Sequence, residues 1–415
     1  MSSEVALWIE DANAEVVRRL VEPEVTFVGV DVARNVIPGM HDHLILHSGP
    51  PIEWELMAPV QQESLIGAAI YEQLAADPKD ARHQLTNGDI EFAPCHHHST
   101  VGAMTGVTSA SMAMLIVEND EFGNRAFCKV VERELQFGIH NADVFANLGW
   151  LREVLGPAID GAIREIGGLK LIHHTSQALH MGDECHNRNV AATALLVRKL
   201  AAPIARTAPV ERIPEILDYF NRIDQAYLGL AMAAAKALTD AAHGVDYSTV
   251  VTALARNGVE VGVRVSGLGD EWFVGPAQVI DGAFGPGYGP DDATPDIGDS
   301  AIVETIGLGA MALANALTAG AIAGGTADEA IQKNRTNMEI AAGTSRSFTI
   351  PVLDFVGTPT GIDIRAVARK GIVPYVLTGI AGNKAPWGRV GAGIVHPPLE
   401  PFVAAVKAFA SKATK

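Results

Sequence analysis

The chain has 415 residues, 48% hydrophobic and 19% charged, with a formal net charge of −17. That length exceeds one typical domain, and the composition demands a large buried core and excludes disorder as the main state. The acidic balance argues against nucleic acid and against an anionic membrane surface as partners, so an anionic substrate has to find its positive charge in a few local arginines.

Three cysteines, Cys95, Cys128 and Cys185, form neither a disulfide framework nor a Cys-x-x-Cys pair, which suits a reducing cytoplasm. Met1-Ser2-Ser3-Glu4 shows no basic stretch leading into an apolar run, so no secretory signal is expected.

β-branched and apolar content predicts a strand over 25–30. A second is expected over 41–47, where alternation puts His41, His43, Ile45 and His47 on one face. Pro50-Pro51 breaks the chain, and helical spacing follows over 62–74. Residues 107–117 read as helix or buried strand, and 126–132 alternate as a strand. From 143 to 254 the pattern is helical, in segments 143–166, 171–179, 189–205, 213–239 and 247–254. Strand character returns over 259–265, and 284–292 is a Gly/Pro loop. Residues 305–326, dominated by Ala and Gly, are expected to form one interior helix rather than a lipid-facing one. Residues 347–352 read as a strand and 357–363 as a turn. Gly379, Gly382, Gly391 and Gly393 suit close backbone approach. The expected class is α+β, mixed α/β parts with an inserted, mainly helical subdomain. The division is an N-terminal α/β domain over 1–140, a helical domain over 141–256 and a C-terminal α/β domain over 257–415 with the Ala/Gly-rich buried helix.

Polarity concentrates in a few places. Residues 180–189 read His-Met-Gly-Asp-Glu-Cys-His-Asn-Arg-Asn and stand at the entrance of the helix pattern that starts at Val190. Few packed cores tolerate such density, because an unpaired buried polar group costs about 1–3 kcal/mol. A helix entrance also favours anions. The second knot is Cys95-His96-His97-His98, where two imidazoles in a loop can converge on a metal or an anion. The third is Gly343-Thr344-Ser345-Arg346, a Gly turn with hydroxyls and a guanidinium suited to planar oxyanions. No Walker loop and no Gly-x-Gly-x-x-Gly after a strand is present.

In order along the chain come His47-Ser48-Gly49-Pro50-Pro51-Ile52-Glu53-Trp54, the 95–98 block leading to Ser109-Ala110-Ser111-Met112, then Met181 to Asn189, Gly343 to Arg346, and Gly357-Thr358-Pro359-Thr360-Gly361-Ile362-Asp363. Together they resemble the YlbE/YahG-like family, which includes the AllG-type subunit of oxamate carbamoyltransferase. The resemblance runs from about residue 25 to 405. It implies an α+β fold with a helical subdomain and a transcarbamylase-type activity, exchanging a carbamoyl group between phosphate and oxamate. It also implies partner chains, one of them an FdrA-like subunit. The aspartate and ornithine transcarbamylase motifs are missing; Ser345-Arg346-Ser347 and His396-Pro397-Pro398 are partial echoes.

Carbamoyl transfer passes through a tetrahedral oxyanion and needs donors, cations and a base. The candidates are His96, His97 and His186 to polarise the carbonyl, and Asp183 or Glu184 as base or as orienter of an imidazole. Arg188 and Arg346 would take the anionic groups, with Asn187, Asn189, Thr344 and Ser345 as further substrate contacts. Asp183 also suits a helix cap, and Arg188 an ion pair with Glu184. The three blocks are expected to meet in one cleft. The ligands expected are a small anionic substrate and phosphate or carbamoyl phosphate, with no cofactor and no metal, in a homo- or hetero-oligomer. Two other readings stand beside this one. One is a metal-dependent amidohydrolase using the strand histidines with the 95–98 knot. The other is a non-catalytic scaffold subunit of a larger transferase.

Overall fold

Val25–Val32 forms the strand that its β-branched run predicts, and it pairs antiparallel with Ala113–Asn119. These two centre a five-stranded sheet ordered Thr100–Val101, Arg125–Lys129, Ala113–Asn119, Val25–Val32, Leu169–Lys170. The computed structural model describes residues 3–318 and 325–413 and has the α+β class expected. Against the sheet lies the helix Leu228–Ala242, buried along nearly its whole length. Its run of alanines makes this close packing feasible. At Gly229 a Cβ would stand 2.8 Å from Leu115 Cδ1.

A four-stranded sheet follows in the order Phe273–Pro276, Glu260–Val265, Val251–Asn257, Ile297–Gly298. A three-stranded one runs Asp281–Phe284, Arg389–Val395, Val376–Ala381. Gly391 and Gly393 belong there because a Cβ would meet Ala283 O at 2.5 Å and Asp281 O at 2.1 Å. The largest hydrophobic core draws on residues from Val16 to Phe348. Among the described residues no helix is long and apolar enough to cross a membrane.

Five expectations change. Residues 247–254 form no helix; their second half, from Val251, opens the strand Val251–Asn257, which pairs with Glu260–Val265, and β-branched Val250, Val251 and Thr252 prefer it. The 213–239 segment divides into Ile213–Arg222 and Leu228–Ala242. The break is held by Thr193, whose Oγ1 donates to Asp224 O and accepts from Tyr227 N. Residues 357–363 belong to the strand Val356–Ile362, paired with Ala341–Ile350, rather than to a turn.

The 305–326 stretch is not one helix in its described part. It is a short helix Ile302–Thr305, then a 3-10 segment Gly309–Asn315, with Gly307 between them and Gly309 opening the second, at φ +93° and +59°. Residues 319–324 of that prediction lie outside the described residues. The 41–47 strand begins only at Leu44 and pairs parallel with Glu91–Pro94. His41 and His43 are exposed before it and His47 is buried, so the three histidines share no face.

Candidate active site

The loop 181–189 joins the helix Leu171–His180 to the helix Val190–Thr207. Gly182 and Cys185 turn it with φ of +99° and +61°. Asp183 is fully buried, and its Oδ2 accepts from Ala192 N at 2.8 Å. Its Oδ1 lies 3.4 Å from Arg188 Nε. The helix entrance is therefore closed by this acid. Asn189 stands at the cap position but donates from Nδ2 to His186 O at 2.8 Å. Glu184, also fully buried, accepts from His186 N at 2.8 Å and from Arg188 N. Burial pushes the carboxyls of Asp183 and Glu184 up, to about 6 and about 8.

His186 is buried, and its Nδ1 lies 2.8 Å from Oε1 of the fully buried Glu304. His186 lines a cleft together with Asn187, Gln136, Gln225, Ser300, Arg389, Met104 and Gly379, among others. Gln225 Nε2 donates to Asn187 O at 3.1 Å. Gln136 is held through Glu132, whose Oε1 accepts from Gln136 N at 2.9 Å and from Lys129 Nζ at 2.9 Å. Met104 lines the cleft in the left-handed region at φ +52°, its carbonyl accepting from Ser48 Oγ at 2.6 Å. A bulky residue held there marks a strained position of the kind found at functional sites.

Arg389 is the cation of this cleft. Its Nε donates to Gly391 O at 3.0 Å. Among the described residues no carboxylate stands within ion-pair distance of it, and the like charge of Arg133 lies nearby. An unpaired guanidinium beside amide side chains is built to receive an oxyanion. A small second hollow shares Ala103, Val131, Gln136 and Leu228 with the cleft.

Of the residues picked from the sequence, His186 and Asn187 line the cleft. Asp183, Glu184 and Asn189 lie buried in the loop that carries them, and Arg188 pairs with Asp183 rather than with Glu184. His96 is fully enclosed and neither ring nitrogen has a partner; its Nε2 is 3.7 Å from Asp299 Oδ1 and its ring meets Trp272 edge-on. Trp272 Nε1 donates to His97 Nε2 at 2.9 Å. Neither histidine lines the cleft. His96 comes near it beside Asp299, which accepts from Gly49 N and Gly102 N and precedes the lining Ser300.

Thr344, Ser345 and Arg346 are elsewhere. They sit on the strand Ala341–Ile350, which packs against the helix Ser3–Val21, where a Cβ at Gly343 would meet Val17 at 2.6 Å. Ser345 Oγ accepts from Phe348 N at 3.0 Å, and Arg346, 82% exposed, reaches only Glu22 at 3.6 Å. The three blocks therefore do not meet in one cleft.

Gln136, Gln225, Ser300, Glu304 and Arg389 were not picked from the sequence. One signal was available: Glu304 is a lone carboxylate in the apolar run Ala301-Ile302-Val303-Glu304-Thr305-Ile306. Among the described residues no group of three or more His, Cys, Asp or Glu side chains is arranged to hold a metal ion. The thiols are buried; burial pushes that of Cys128 up to about 12 and that of Cys185 well above its usual value. Such thiols are poor nucleophiles.

The family model described as oxamate carbamoyltransferase subunit AllG matches residues 90–300. The chain is 45% identical to the uncharacterized protein YahG of Escherichia coli K12, over 97% of this chain and 86% of that protein. It is 39% identical to the oxamate carbamoyltransferase subunit AllG of the same organism, over 97% of this chain and 98% of that one. A crystal structure of a conserved protein of unknown function from Enterococcus faecalis V583 matches with a TM-score of 0.95 at 42% identity, covering 98% of this chain and 99% of that chain.

Proposed function

This chain belongs to the AllG family, and on that premise we propose that it serves carbamoyl transfer between phosphate and a small amide acceptor such as oxamate. It works as one subunit beside partner chains, in the cytoplasm. The observation that carries the reading is that His186 and Arg389 line one cleft together with three carboxamide side chains. Each group answers a need of the reaction. Arg389 binds the phosphate or the acceptor carboxylate through charge-assisted hydrogen bonds. Gln136, Gln225 and Asn187 offer both donors and acceptors, which match a carbamoyl group's N–H₂ and C=O. His186 takes the proton of the attacking nitrogen. Asp183, Glu184, Arg188 and Asn189 hold the loop that presents it.

Labelled inorganic phosphate and the N-carbamoyl compound oxalurate, given to the chain with its partner subunits, test this. Label is expected in carbamoyl phosphate, with release of the carbamoyl group dependent on phosphate. Phosphate-independent, chelator-sensitive hydrolysis would overturn the reading in favour of an amidohydrolase. No turnover with any partner would leave a scaffold.

A further inference from the structure

We infer that Glu304 is a positioning residue that fixes the tautomer of His186, with the proton on Nδ1 and the lone pair of Nε2 directed at the cleft; this rests on the carbamoyl-transfer reading. The 2.8 Å contact joins two side chains that are 0% and 3% exposed, so water does not compete for it. Oε1 already accepts from two backbone amides, those of Ala310 and Leu377, so it is the acceptor here, Nδ1 donates, and Nε2 is left as the basic nitrogen.

The carboxylate is itself fixed by three segments. Its Oε1 also accepts from Ala310 N and from Leu377 N, each at 3.2 Å. The chain is bare where the carboxylate passes, since a Cβ at Gly309 would stand 2.3 Å from Oε1 and 3.2 Å from His186 Cβ. Gly309 N meanwhile donates to Glu184 O at 2.7 Å, which ties this turn to the loop carrying His186. A tie between segments alone needs no charge, whereas a buried carboxylate is costly unless it is paired. Oε2 has no partner among the described residues, so the carboxylate is not there to bridge backbone amides from both oxygens.

The step served is balanced as follows. The acceptor nitrogen bonds to the carbamoyl carbon and gives its proton to Nε2. The bond from that carbon to the phosphate oxygen breaks, and phosphate leaves with the electron pair.

The test uses the complex with its partner subunits and ¹⁵N-histidine labelling, with the His186 signals assigned by their loss in H186Q. In the wild type, His186 is expected with the proton on Nδ1. In E304M, which removes the acceptor oxygen, the tautomers mix, kcat falls at least about tenfold, as for loss of a positioned base, and KM stays within about twofold. G309A, which crowds the carboxylate but keeps every titratable group, is expected to mix the tautomers too. Should E304M not fold, the wild-type tautomer and G309A decide. A wild-type proton on Nε2, or an E304M with unchanged tautomer and kcat, would overturn the inference. A wild-type complex that transfers no carbamoyl group would sink the reaction instead, while the tautomer still judges Glu304.

Discussion

Asp183 Oδ2 accepts from the amide of Ala192 at 2.8 Å, so an acid nine residues upstream caps the helix Val190–Thr207. The same carboxylate faces Arg188 Nε at 3.4 Å. The polar density of this loop is thus mostly internal: its acids accept the loop's own amides, and one imidazole is left to face the cleft.

D183A should therefore cost about 1–2 kcal/mol of stability, the usual loss for a helix cap. D183N keeps an acceptor oxygen and should lose less. Chemical denaturation of the two variants checks this. A D183A protein of full stability but without transfer activity would assign Asp183 to the chemistry.

The two arginines read from opposite surroundings. Arg389 lines the cleft without a carboxylate, and Arg346 is 82% exposed beside Glu22. R389M should weaken binding of the anionic substrate by about 1.5–3 kcal/mol, roughly 10- to 150-fold in KM, with little change in thermal stability. R346A should move neither, since an exposed ion pair contributes about 0–1 kcal/mol. Calorimetric titration with phosphate and with oxamate separates them. A loss confined to R346A would relocate the anion site to the strand Ala341–Ile350.

Arg256 is a structural counterpart, fully buried with Nε 2.8 Å from Asp296 Oδ2. It also donates to Gly298 O and to Thr378 Oγ1, the latter at 3.3 Å. R256M leaves the Asp296 charge buried and unpaired, so a loss of about 3–5 kcal/mol is expected. R256M/D296L, which removes both charges, should recover much of it. Denaturant midpoints of the two variants settle the point; equal losses would mean that the bonds to Gly298 and Thr378 matter more than the charge pair.

Much of the fold is legible where one pattern acts alone. The strand at Val25–Val32 and the helices at Leu171–His180 and Val190–Thr207 follow local periodicity. The failures share a cause. Residues 251–254 and 357–362 become strands in hairpins with 260–265 and 341–350, pairings that the periodicity of each segment taken by itself does not carry. The Ala/Gly run after Thr305 satisfies helix propensity, yet Gly307 and Gly309 adopt left-handed φ and break it so that Glu304 can reach His186. The site divides the same way. His186 stood out because its neighbours are polar. Arg389 and Glu304 are single residues in apolar strands and turns, and only tertiary packing carries Arg389 to the cleft and Glu304 to His186.

The last expectation concerns pH and stability. Burial raises the carboxyls of Glu184, Asp299 and Asp183, to about 8, 7 and 6. Their ordinary values are 4.5 for Glu and 3.8 for Asp. Above those ordinary values the unfolded chain has released protons that the folded chain still holds, so the stabilising contribution is complete at low pH. It is lost as pH rises through the folded values. Buried histidines act oppositely. His47 and His243 are lowered from 6.5 to about 4, chiefly by burial, so the unfolded chain gains their protons first as pH falls below 6.5. Between about pH 7.5 and 8.5 those histidines are neutral in both states, and the carboxyl effect stands alone. Thermal midpoints should fall across that window, and E184Q should flatten the decline. Below about pH 7.5 the two effects oppose, which places the optimum near neutral to mildly acidic pH. A midpoint that rises from about pH 7.5 to 8.5 would mean that these carboxyls are ionised in the folded protein. Glu184 would then be a charged acceptor for the amides of His186 and Arg188 rather than a neutral one.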